Sequence, residues 1–320
     1  MEAYAALRDQ IYFVDGDSGS DGNSGKKPSE ATKTIQKAID LVSGAGAVIY
    51  VFPLANDALD TDPDSYAETL IIGNDTPQLS LIGVPTGRTQ GGLPQLKIGG
   101  DSTTAMIDVR APGCTIRNMG INGASSTGGG IKLTDDGGTT YVSFGTTIEN
   151  CHFKNCKCHA TNGTLGGAIY STGSPWQVRI ANNTFYKNVA GIVIKDTSYS
   201  VPQDWVIENN TFDSSVKTDI DVDIYVAADG CKGLVIRNND FATVDVPTIA
   251  SGSVVRYIYL NAGTSGAVVG NRFACLVNPA ASEVTFGAAG TAAVIPTTVR
   301  MAGNIGESSS TTEQDIVYRT

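Results

Sequence analysis

A six-residue phrase of the form Ile-x-Asn-Asn-x-Phe, or a close variant, returns along this chain at a nearly constant interval. The last positions of six successive phrases lie 32, 32, 27, 29 and 32 residues apart. A period of this length indicates one supersecondary unit that is stacked on copies of itself. The six phrases occupy residues 116–121, 148–153, 180–185, 207–212, 236–241 and 268–273.

The composition of each period favours strands over helices. Asparagine pairs, glycine and β-branched residues stand where a helix interior would need Ala, Leu and Glu. The leucine columns that define leucine-rich repeats are absent from the sequence. Each period also carries a second apolar segment, which predicts more than one short strand per coil. These second segments are residues 130–133, 168–170, 191–194, 223–226 and 257–260.

A parallel β-helix is the fold that fits this pattern. The Ile and Phe of each phrase point inward and stack on their copies, and the asparagine pair between them turns the chain, because asparagine tolerates the left-handed backbone conformation. With coils about 4.8 Å apart, nine or ten of them would build a rod of roughly 45 Å. The second asparagines are expected to bond to one another as a structural ladder. The ladder residues are Asn183, Asn210, Asn239 and Asn271.

The segment before the first coil differs from the repeats. Apolar residues recur there at helical spacing and a glycine follows them, which predicts an amphipathic helix. Such a helix would cover the open strand edges and the apolar cross-section at the end of a repeat stack. The helical positions are Ile35, Ala38, Ile39 and Val42.

The chain therefore divides into three predicted parts. Residues 1–52 form an opening strand and the capping helix, residues 53–305 form the β-helix, and residues 306–320 form a C-terminal tail. A repeat array can grow to this length without a second core, because each coil contacts only its neighbours.

Two stretches resemble the right-handed parallel β-helix proteins of the pectate-lyase-like superfamily. The opening from Tyr12 to Asp40, with its Gly/Asp-rich loop and its Thr34-Ile-Gln-Lys-Ala-Ile-Asp40 segment, is similar to that superfamily's N-terminal region. The recurring phrase is similar to its coil repeat, so the resemblance spans about residues 11–275. It implies an all-β fold, a single-stranded right-handed parallel β-helix solenoid with an N-terminal capping α-helix. Lyases, hydrolases, epimerases and bacteriophage tailspikes share this fold, so the fold does not select a function.

The catalytic pattern of the superfamily's galacturonan hydrolases is incomplete in this chain. Those enzymes carry an Asp-Asp pair, a His-Gly dipeptide and an Arg-x-Lys segment. Asp135-Asp136 lies in a glycine-rich loop, and neither of the two histidines is followed by Gly.

Three aspartates are candidate catalytic residues. Asp219, Asp221 and Asp223 alternate with apolar residues, which predicts that all three carboxylates lie on the outer face of a strand. Adjacent carboxylates can bind a cation or act as acid and base on a sugar, whereas the alternative is a solvated strand face. Arginines on neighbouring coils are candidates for the base of a lyase. They are Arg179, Arg237 and Arg256.

Two further groups suggest metal sites. Asp15, Asp17 and Asp21 echo the acidic positions of a calcium loop, but the loop lacks the glutamate at the twelfth position, so a Gly/Asp-rich surface turn is preferred to a Ca²⁺ site. A second cluster suggests zinc, although Cys151 occupies the column that asparagines fill in other coils. Buried free thiols are the preferred interpretation of the six cysteines. The zinc candidates are Cys151, His152, Cys156, Cys158 and His159.

Several aromatic residues lie outside the recurring phrase. Such rings can stack on sugars, cover the side of the rod or lie in a subunit interface. They are Tyr170, Tyr186, Tyr199, Trp205, Tyr225, Tyr257 and Tyr259.

Charge and hydropathy exclude two classes of partner. The net charge of −10 disfavours nucleic acid, whose binding relies on Lys and Arg contacts to phosphate. The sequence has no apolar run of about 18 residues, so no membrane insertion is expected. The first ten residues lack the basic and apolar regions of a secretion signal.

Three functions are compatible with these observations. The preferred one is a structural protein of a bacteriophage virion, as a tailspike, fibre or capsid-decoration subunit that stabilises the particle or attaches to surface glycans. The resemblance implies a homotrimer, and the other partners would be virion proteins and polysaccharide. The alternatives are a polysaccharide lyase or glycoside hydrolase, with an extracellular location, and a non-catalytic carbohydrate-binding module.

Overall fold

The computed structural model describes residues 10–55, 64–87, 92–97, 104–123, 129–137, 139–156, 167–195, 200–213, 222–227, 229–243, 255–275, 284–285 and 296–308. These residues contain a 3-10 turn (Pro28–Glu30), one α-helix, α1 (Ile35–Asp40), and 26 strands. The strands are β1 (Ile11–Val14), β2 (Val48–Val51), β3 (Leu70–Ile72), β4 (Ser80–Gly83), β5 (Gln95–Lys97), β6 (Ile107–Val109), β7 (Thr115–Arg117), β8 (Gly120–Asn122), β9 (Ile131–Thr134), β10 (Thr147–Glu149), β11 (His152–Lys154), β12 (Ile169–Thr172), β13 (Arg179–Ala181), β14 (Thr184–Tyr186), β15 (Ala190–Ile194), β16 (Val206–Glu208), β17 (Thr211–Asp213), β18 (Val222–Val226), β19 (Leu234–Arg237), β20 (Asp240–Thr243), β21 (Val255–Leu260), β22 (Gly266–Val269), β23 (Arg272–Cys275), β24 (Val284–Thr285), β25 (Val299–Ala302) and β26 (Ile305–Ser308).

The strands form three parallel sheets, and from β7 onward each coil contributes one strand to each sheet in turn. Sheet 1 has ten strands in the order β1-β2-β4-β7-β10-β13-β16-β19-β22-β25. Sheet 2 has the order β26-β23-β20-β17-β14-β11-β8-β5, and sheet 3 has the order β24-β21-β18-β15-β12-β9-β6-β3. This is the predicted right-handed parallel β-helix, in which one chain winds through all three sheets. Ten strands about 4.8 Å apart make sheet 1 about 43 Å long.

The core consists of columns in which each side chain lies on its copy in the next coil. The first position of the phrase forms a fully buried aliphatic column on sheet 1, and its sixth position forms a phenylalanine stack on sheet 2. Ring centroids in that stack are 4.6 to 4.9 Å apart and the rings are within 9° of parallel. The stack consists of Phe153, Phe185, Phe212, Phe241 and Phe273.

A two-residue turn joins sheet 1 to sheet 2 in each of the last seven coils, from β7–β8 to β25–β26. The first residue of the turn has a positive φ, between 54° and 65°, and is asparagine in the first five turns and glycine in the last two. The left-handed conformation strains most side chains, which explains the choice of Asn and Gly. The turn residues are Asn118, Asn150, Asn182, Asn209, Asn238, Gly270 and Gly303.

From the third of these turns onward, the second residue is an asparagine, and these side chains form a buried amide ladder; the first two turns have Met119 and Cys151 there. The Oδ1 atom of Asn210 accepts hydrogen bonds from the backbone N–H and the Nδ2 atom of Asn183, at 2.9 and 3.0 Å. Its Nδ2 atom donates to the carbonyl of Ile180 and to Oδ1 of Asn239. Asn239, Asn271 and Asn304 repeat this arrangement in the following coils. The side chains therefore satisfy backbone groups that the turn would otherwise leave buried and unpaired.

The α-helix occupies one end of the described stack, where it contacts β1, β2 and β3. Ile35, Ala38 and Ile39 are buried in the core. The side chain of Gln36 accepts a hydrogen bond from the backbone N–H of Ile71 at 2.8 Å and donates one to its carbonyl at 3.3 Å. A neighbouring strand would make the same two bonds, so Gln36 covers part of the edge of sheet 3.

The connection from sheet 2 to sheet 3 varies in length. It has 14 residues between β11 and β12, three between β14 and β15, and eight between β17 and β18. The connection from sheet 3 to sheet 1 also varies, from five to 12 residues between β9 and β22, and the two variations together explain why the interval between phrases is not constant. The turn from sheet 1 to sheet 2 does not vary over the same coils.

An ion-pair ladder crosses the outer face of sheet 1. Glu208 binds Arg179 at 2.7 Å and Arg237 at 2.6 Å, while Glu149 binds Arg117 at 3.3 Å and Arg179 at 3.4 Å. The Glu208 side chain is 9% exposed. Burial acts to raise the pKa of Glu208, but hydrogen bonds from Arg237 and Arg179 outweigh it and hold that pKa below its ordinary value.

We predict that Asn210→Ala lowers the free energy of unfolding by about 3 kcal/mol, because it leaves the buried N–H of Asn183 and the carbonyl of Ile180 without partners. Urea unfolding followed by circular dichroism measures the change. Thr211→Ala is the matched control, since its side chain is exposed on the adjacent position of the same coil. Equal effects of the two substitutions would contradict a stabilising role for the amide ladder.

We predict that Glu208→Gln destabilises the protein at pH 7 by about 1 to 2 kcal/mol, less than a fully buried pair because both arginines are partly exposed. The pKa of Glu208 is 4.5 in the unfolded chain and lower in the folded protein. This stabilisation is therefore complete above pH 4.5 and is lost as the pH falls through the pKa of the folded protein. Thermal unfolding across this pH range should therefore show the two proteins converging in acid. The exposed Glu30, as Glu30→Gln, is the control and should show a smaller difference at pH 7.

Candidate functional site

One column of outward side chains on sheet 3 changes in character along the rod. Strand register places its seven members side by side on successive coils. The column is charged at one end, in β6 and β9, and aromatic or aliphatic from β12 onward. We call it the sheet 3 column. It consists of Ile71, Asp108, Lys132, Tyr170, Val193, Tyr225 and Tyr259.

The aromatic part of the column contains a stacked pair. The rings of Tyr225 and Tyr259 have centroids 5.1 Å apart and an interplanar angle of 16°. Both are half-buried, while Tyr170 and Val193 pack with Tyr225 in an apolar cluster outside the main core. Burial, together with the neighbouring Tyr259, raises the pKa of Tyr225, so its phenol stays neutral and able to donate a hydrogen bond.

The charged part of the column is a preorganised network around Asp108. Arg110 donates to Oδ2 of Asp108 from Nε at 3.0 Å and from Nη2 at 2.7 Å. Thr134 donates its hydroxyl to the other carboxylate oxygen, and Lys132 lies 3.8 Å from Oδ2. The Arg110 guanidinium also stacks over the ring of Tyr141, 4.9 Å from its centroid. These contacts fix the orientation of two cations on the same face as the stacked tyrosines, three to four coils away from them.

The structure contradicts the expected exposure of Asp223. Its side chain is only 5% exposed, although the alternation in the sequence predicts an outward carboxylate. In the paired strand it lies opposite Tyr257, whose ring packs inside against Phe241 and Phe273. The simple alternation of an extended strand therefore does not describe burial in the first residues of β18. The other two candidates, Asp219 and Asp221, lie outside the described residues.

The three aspartates of the opening loop do not share a site. Asp15 accepts hydrogen bonds from the backbone N–H groups of residues 17 and 18, and Asp17 accepts one from Ala55 at 2.6 Å. Asp21 accepts from the N–H groups of Lys33 and Thr34, both at 2.9 Å. Each carboxylate therefore fixes a different part of the loop. No group of three potential metal ligands occurs within the part of the chain that the structure describes.

The cysteine–histidine cluster is split between the inside and the outside of the coil. Cys151 and Cys156 are buried, and burial raises the pKa of each thiol to about 12. His152 lies on the outer face of sheet 2, half-buried, and burial lowers its pKa. The backbone N–H of Cys151 donates to Asn183, which places this cysteine at the end of the amide ladder. Cys158 and His159 lie outside the described residues.

Four of the six cysteines are described with their side chains, and all four are buried free thiols. Burial raises the pKa of Cys114 and Cys231 to about 12, as it does in the other two. A thiol with such a high pKa is a poor nucleophile at neutral pH. The four are Cys114, Cys151, Cys156 and Cys231.

The remaining candidates lie on different faces of the rod. Arg179 and Arg237 belong to the ion-pair ladder of sheet 1 and do not join Asp223 on sheet 3. Among the aromatic residues, Trp205 and Tyr257 lie in the core, and Tyr186 lies on sheet 2. The side chain of Arg256 and all of Tyr199 lie outside the described residues.

The sheet 3 column combines flat apolar surface with hydrogen-bonding groups and fixed cations. Neutral tyrosine rings can stack on the apolar face of a sugar ring, and their hydroxyls can bond to sugar hydroxyls. Arg110 and Lys132 add charge-assisted donors at one end. The carboxylate of Asp108, by contrast, is occupied by Arg110 and Thr134. The arrangement therefore favours binding over acid–base chemistry.

Nothing in the described residues provides a helix long and apolar enough to cross a membrane.

Comparisons with known proteins support the fold. Neither protein-family models nor curated proteins gave a match to this sequence. Among solved structures, the chain is similar to Escherichia coli YbhC, with 13% identity, a TM-score of 0.51, and coverage of 92% of this chain and 84% of that one. It is also similar to the pectin methylesterase from carrot, with 14% identity, a TM-score of 0.47, and coverage of 94% and 84%.

A bacteriophage protein was also matched. ORF18 of Geobacillus virus E2 has 13% identity and a TM-score of 0.39, and the match covers 96% of this chain and 63% of that one. At such low identity, the similarity to solved structures shows the fold alone. The match to YbhC, with its TM-score of 0.51, agrees with the right-handed parallel β-helix that the three parallel sheets form.

Proposed function

We propose that this protein is a structural subunit of a bacteriophage virion, a tailspike, fibre or capsid-decoration protein, and that it attaches to surface polysaccharide through sheet 3. The observation that carries the attachment role is the sheet 3 column, which has a stacked tyrosine pair in β18 and β21 and a fixed pair of cations three to four coils away on the same face. A rigid rod that presents a row of sugar-binding groups suits a protein that holds a particle against a cell surface.

The structural part of the proposal is supported by how the rod is built. Amide, aliphatic and phenylalanine columns continue from coil to coil, so the described coils form one stiff body. Three further parts of the proposal come from the sequence and from its resemblance to the β-helix superfamily. They are the virion location, the other virion proteins as partners and the homotrimer. Extracellular secretion is the alternative location.

We predict that Tyr225→Ala weakens polysaccharide binding at least about tenfold, because it removes one half of the stacked pair. A panel of purified bacterial O-antigens and capsular polysaccharides, immobilised for biolayer interferometry, identifies the ligand and measures its affinity. The matched control is Tyr186→Ala, a half-buried outward tyrosine on sheet 2. Binding that Tyr225→Ala leaves unchanged, or that both variants reduce equally, would place the glycan elsewhere.

The virion role has its own test. Purified protein should rebind phage particles from which the corresponding subunit has been stripped, and an antibody raised against it should label intact particles in electron micrographs. Failure of both would reject the virion assignment while leaving the polysaccharide result intact.

A polysaccharide lyase or hydrolase is the second candidate function, and it is favoured by one observation. Asp223 is a buried carboxylate on β18, two residues from Tyr225 in the sheet 3 column. A buried carboxylate beside a sugar-binding surface is a common arrangement for a catalytic acid. The third interpretation is a free-standing carbohydrate-binding module. It would bind polysaccharide through the same sheet 3 column, but it would not be part of a virion.

We predict that the protein does not depolymerise any polysaccharide that it binds, because the Asp108 carboxylate in the sheet 3 column is held in hydrogen bonds from Arg110 and Thr134. Absorbance near 235 nm detects lyase products, and an assay of reducing ends detects hydrolysis. Depolymerisation that disappears in Asp223→Asn, with polysaccharide binding retained, would replace the binding proposal by an enzymatic one.

A further inference from the structure

The outer face of sheet 1 has the composition of a protein interface. Two columns of outward residues run along all ten strands, and we call these twenty positions face 1. Strand register defines the first column as Ile11, Val48, Ser80, Thr115, Thr147, Arg179, Val206, Val235, Ala267 and Arg300. The second column is Phe13, Tyr50, Ile82, Arg117, Glu149, Ala181, Glu208, Arg237, Val269 and Ala302.

Face 1 contains no lysine, and its charged residues are four arginines and two glutamates. Interfaces between proteins are enriched in arginine and aromatic residues and depleted in lysine. Sheet 2 provides an internal comparison, because its outer columns carry the charged residues expected of a solvated sheet. Those residues include Lys97, Lys154, Asp213, Asp240 and Arg272.

Face 1 has partly exposed apolar side chains at its N-terminal end and beside its charged residues. At the N-terminal end, the rings of Phe13 and Tyr50 are stacked with centroids 5.8 Å apart, and Ile82 continues their column. Val206 and Val235 are neighbours in the first column, and both are half-buried. Aromatic and aliphatic side chains of this kind can become fully buried in a contact with another protein.

The middle of face 1 is the ion-pair ladder, which is suited to meeting its own copy. The sign of the charge alternates along the ladder from Arg117 through Glu149, Arg179 and Glu208 to Arg237. A second ladder displaced by one coil would therefore set arginine opposite glutamate. Arginine also tolerates burial in an interface better than lysine does, because its guanidinium is less strongly hydrated.

The size of face 1 is sufficient for a specific contact. Ten strands about 4.8 Å apart and four residues wide give a planar area on the order of 600 Å². Specific interfaces bury about 600 to 1,000 Å² on each partner, so face 1 lies at the lower end of that range. From composition, charge pattern and area, we propose that face 1 is buried against a second copy of this chain.

This contact goes beyond the proposed function, because it names the surface through which copies associate and pairs them face to face as a dimer, in place of the homotrimer that the resemblance implies. It leaves sheet 3 facing outward, so the polysaccharide site and the subunit contact lie on different sides of the rod. The two proposals can therefore fail independently. A monomer that still binds polysaccharide contradicts only the contact, and an oligomer that binds no polysaccharide contradicts only the glycan site.

We predict that the wild-type protein sediments as an oligomer and that Val235→Lys raises its dissociation constant about 10- to 100-fold, because an ammonium group is then placed in the apolar part of the contact. Sedimentation equilibrium over a concentration series measures this change, and circular dichroism checks the fold. Thr211→Lys, on the outer face of sheet 2, is the matched control and should associate like the wild type.

A crosslinking variant tests the same contact if Val235→Lys does not fold. Thr147→Cys places a thiol near the middle of face 1, and Thr184→Cys places one on sheet 2. Mild oxidation should give a covalent dimer of Thr147→Cys and much less of Thr184→Cys. A wild type that is monomeric at every concentration, an oligomer unaffected by Val235→Lys, or equal crosslinking of the two cysteine variants would overturn the proposal.

Discussion

The structure depends on one hydrogen-bonding requirement, which is the pairing of buried polar groups at the turn between sheet 1 and sheet 2. The turn carries the chain around a corner of the rod where its backbone groups are buried, so these groups need hydrogen-bond partners within the protein. An asparagine amide supplies them, because it donates and accepts at once and its copy lies one coil away. An asparagine amide can make these bonds only when the next coil lies at the spacing of adjacent strands. The aliphatic and phenylalanine columns on either side of the turn have the same spacing.

The fold could be predicted from the sequence because its columns are local. The last four phrases each contain an inward aliphatic residue, a left-handed residue, a ladder amide and an inward ring within six positions, and the structure places all four as the period indicates. Asn304 extends the ladder in the partial repeat near the end. The helix was detectable for the same reason, since Ile35, Ala38 and Ile39 lie within two turns.

The surface was less predictable because it depends on register across connections of unequal length. Tyr225 and Tyr259 belong to strands separated by 28 residues, the positions 227 to 254, and sequence spacing alone does not show that their rings stack. The alternation rule also failed for Asp223, which is buried opposite the core residue Tyr257. Face 1 was missed for a related reason. Its apolar and arginine positions become a surface only when strands from all ten coils are placed side by side.

The unequal connections between sheet 2 and sheet 3 have a consequence for how such a chain can diversify. One coil makes this connection with three residues and another with 14, yet both keep the same two-residue turn at the opposite corner. The connection from sheet 3 to sheet 1 varies as well, so length changes occur at the two corners that border sheet 3, while the corner with the amide ladder keeps one length. Insertions during evolution, or in the laboratory, can therefore remodel the border of sheet 3 without disturbing the stack, and peptide epitopes or affinity tags are best grafted there.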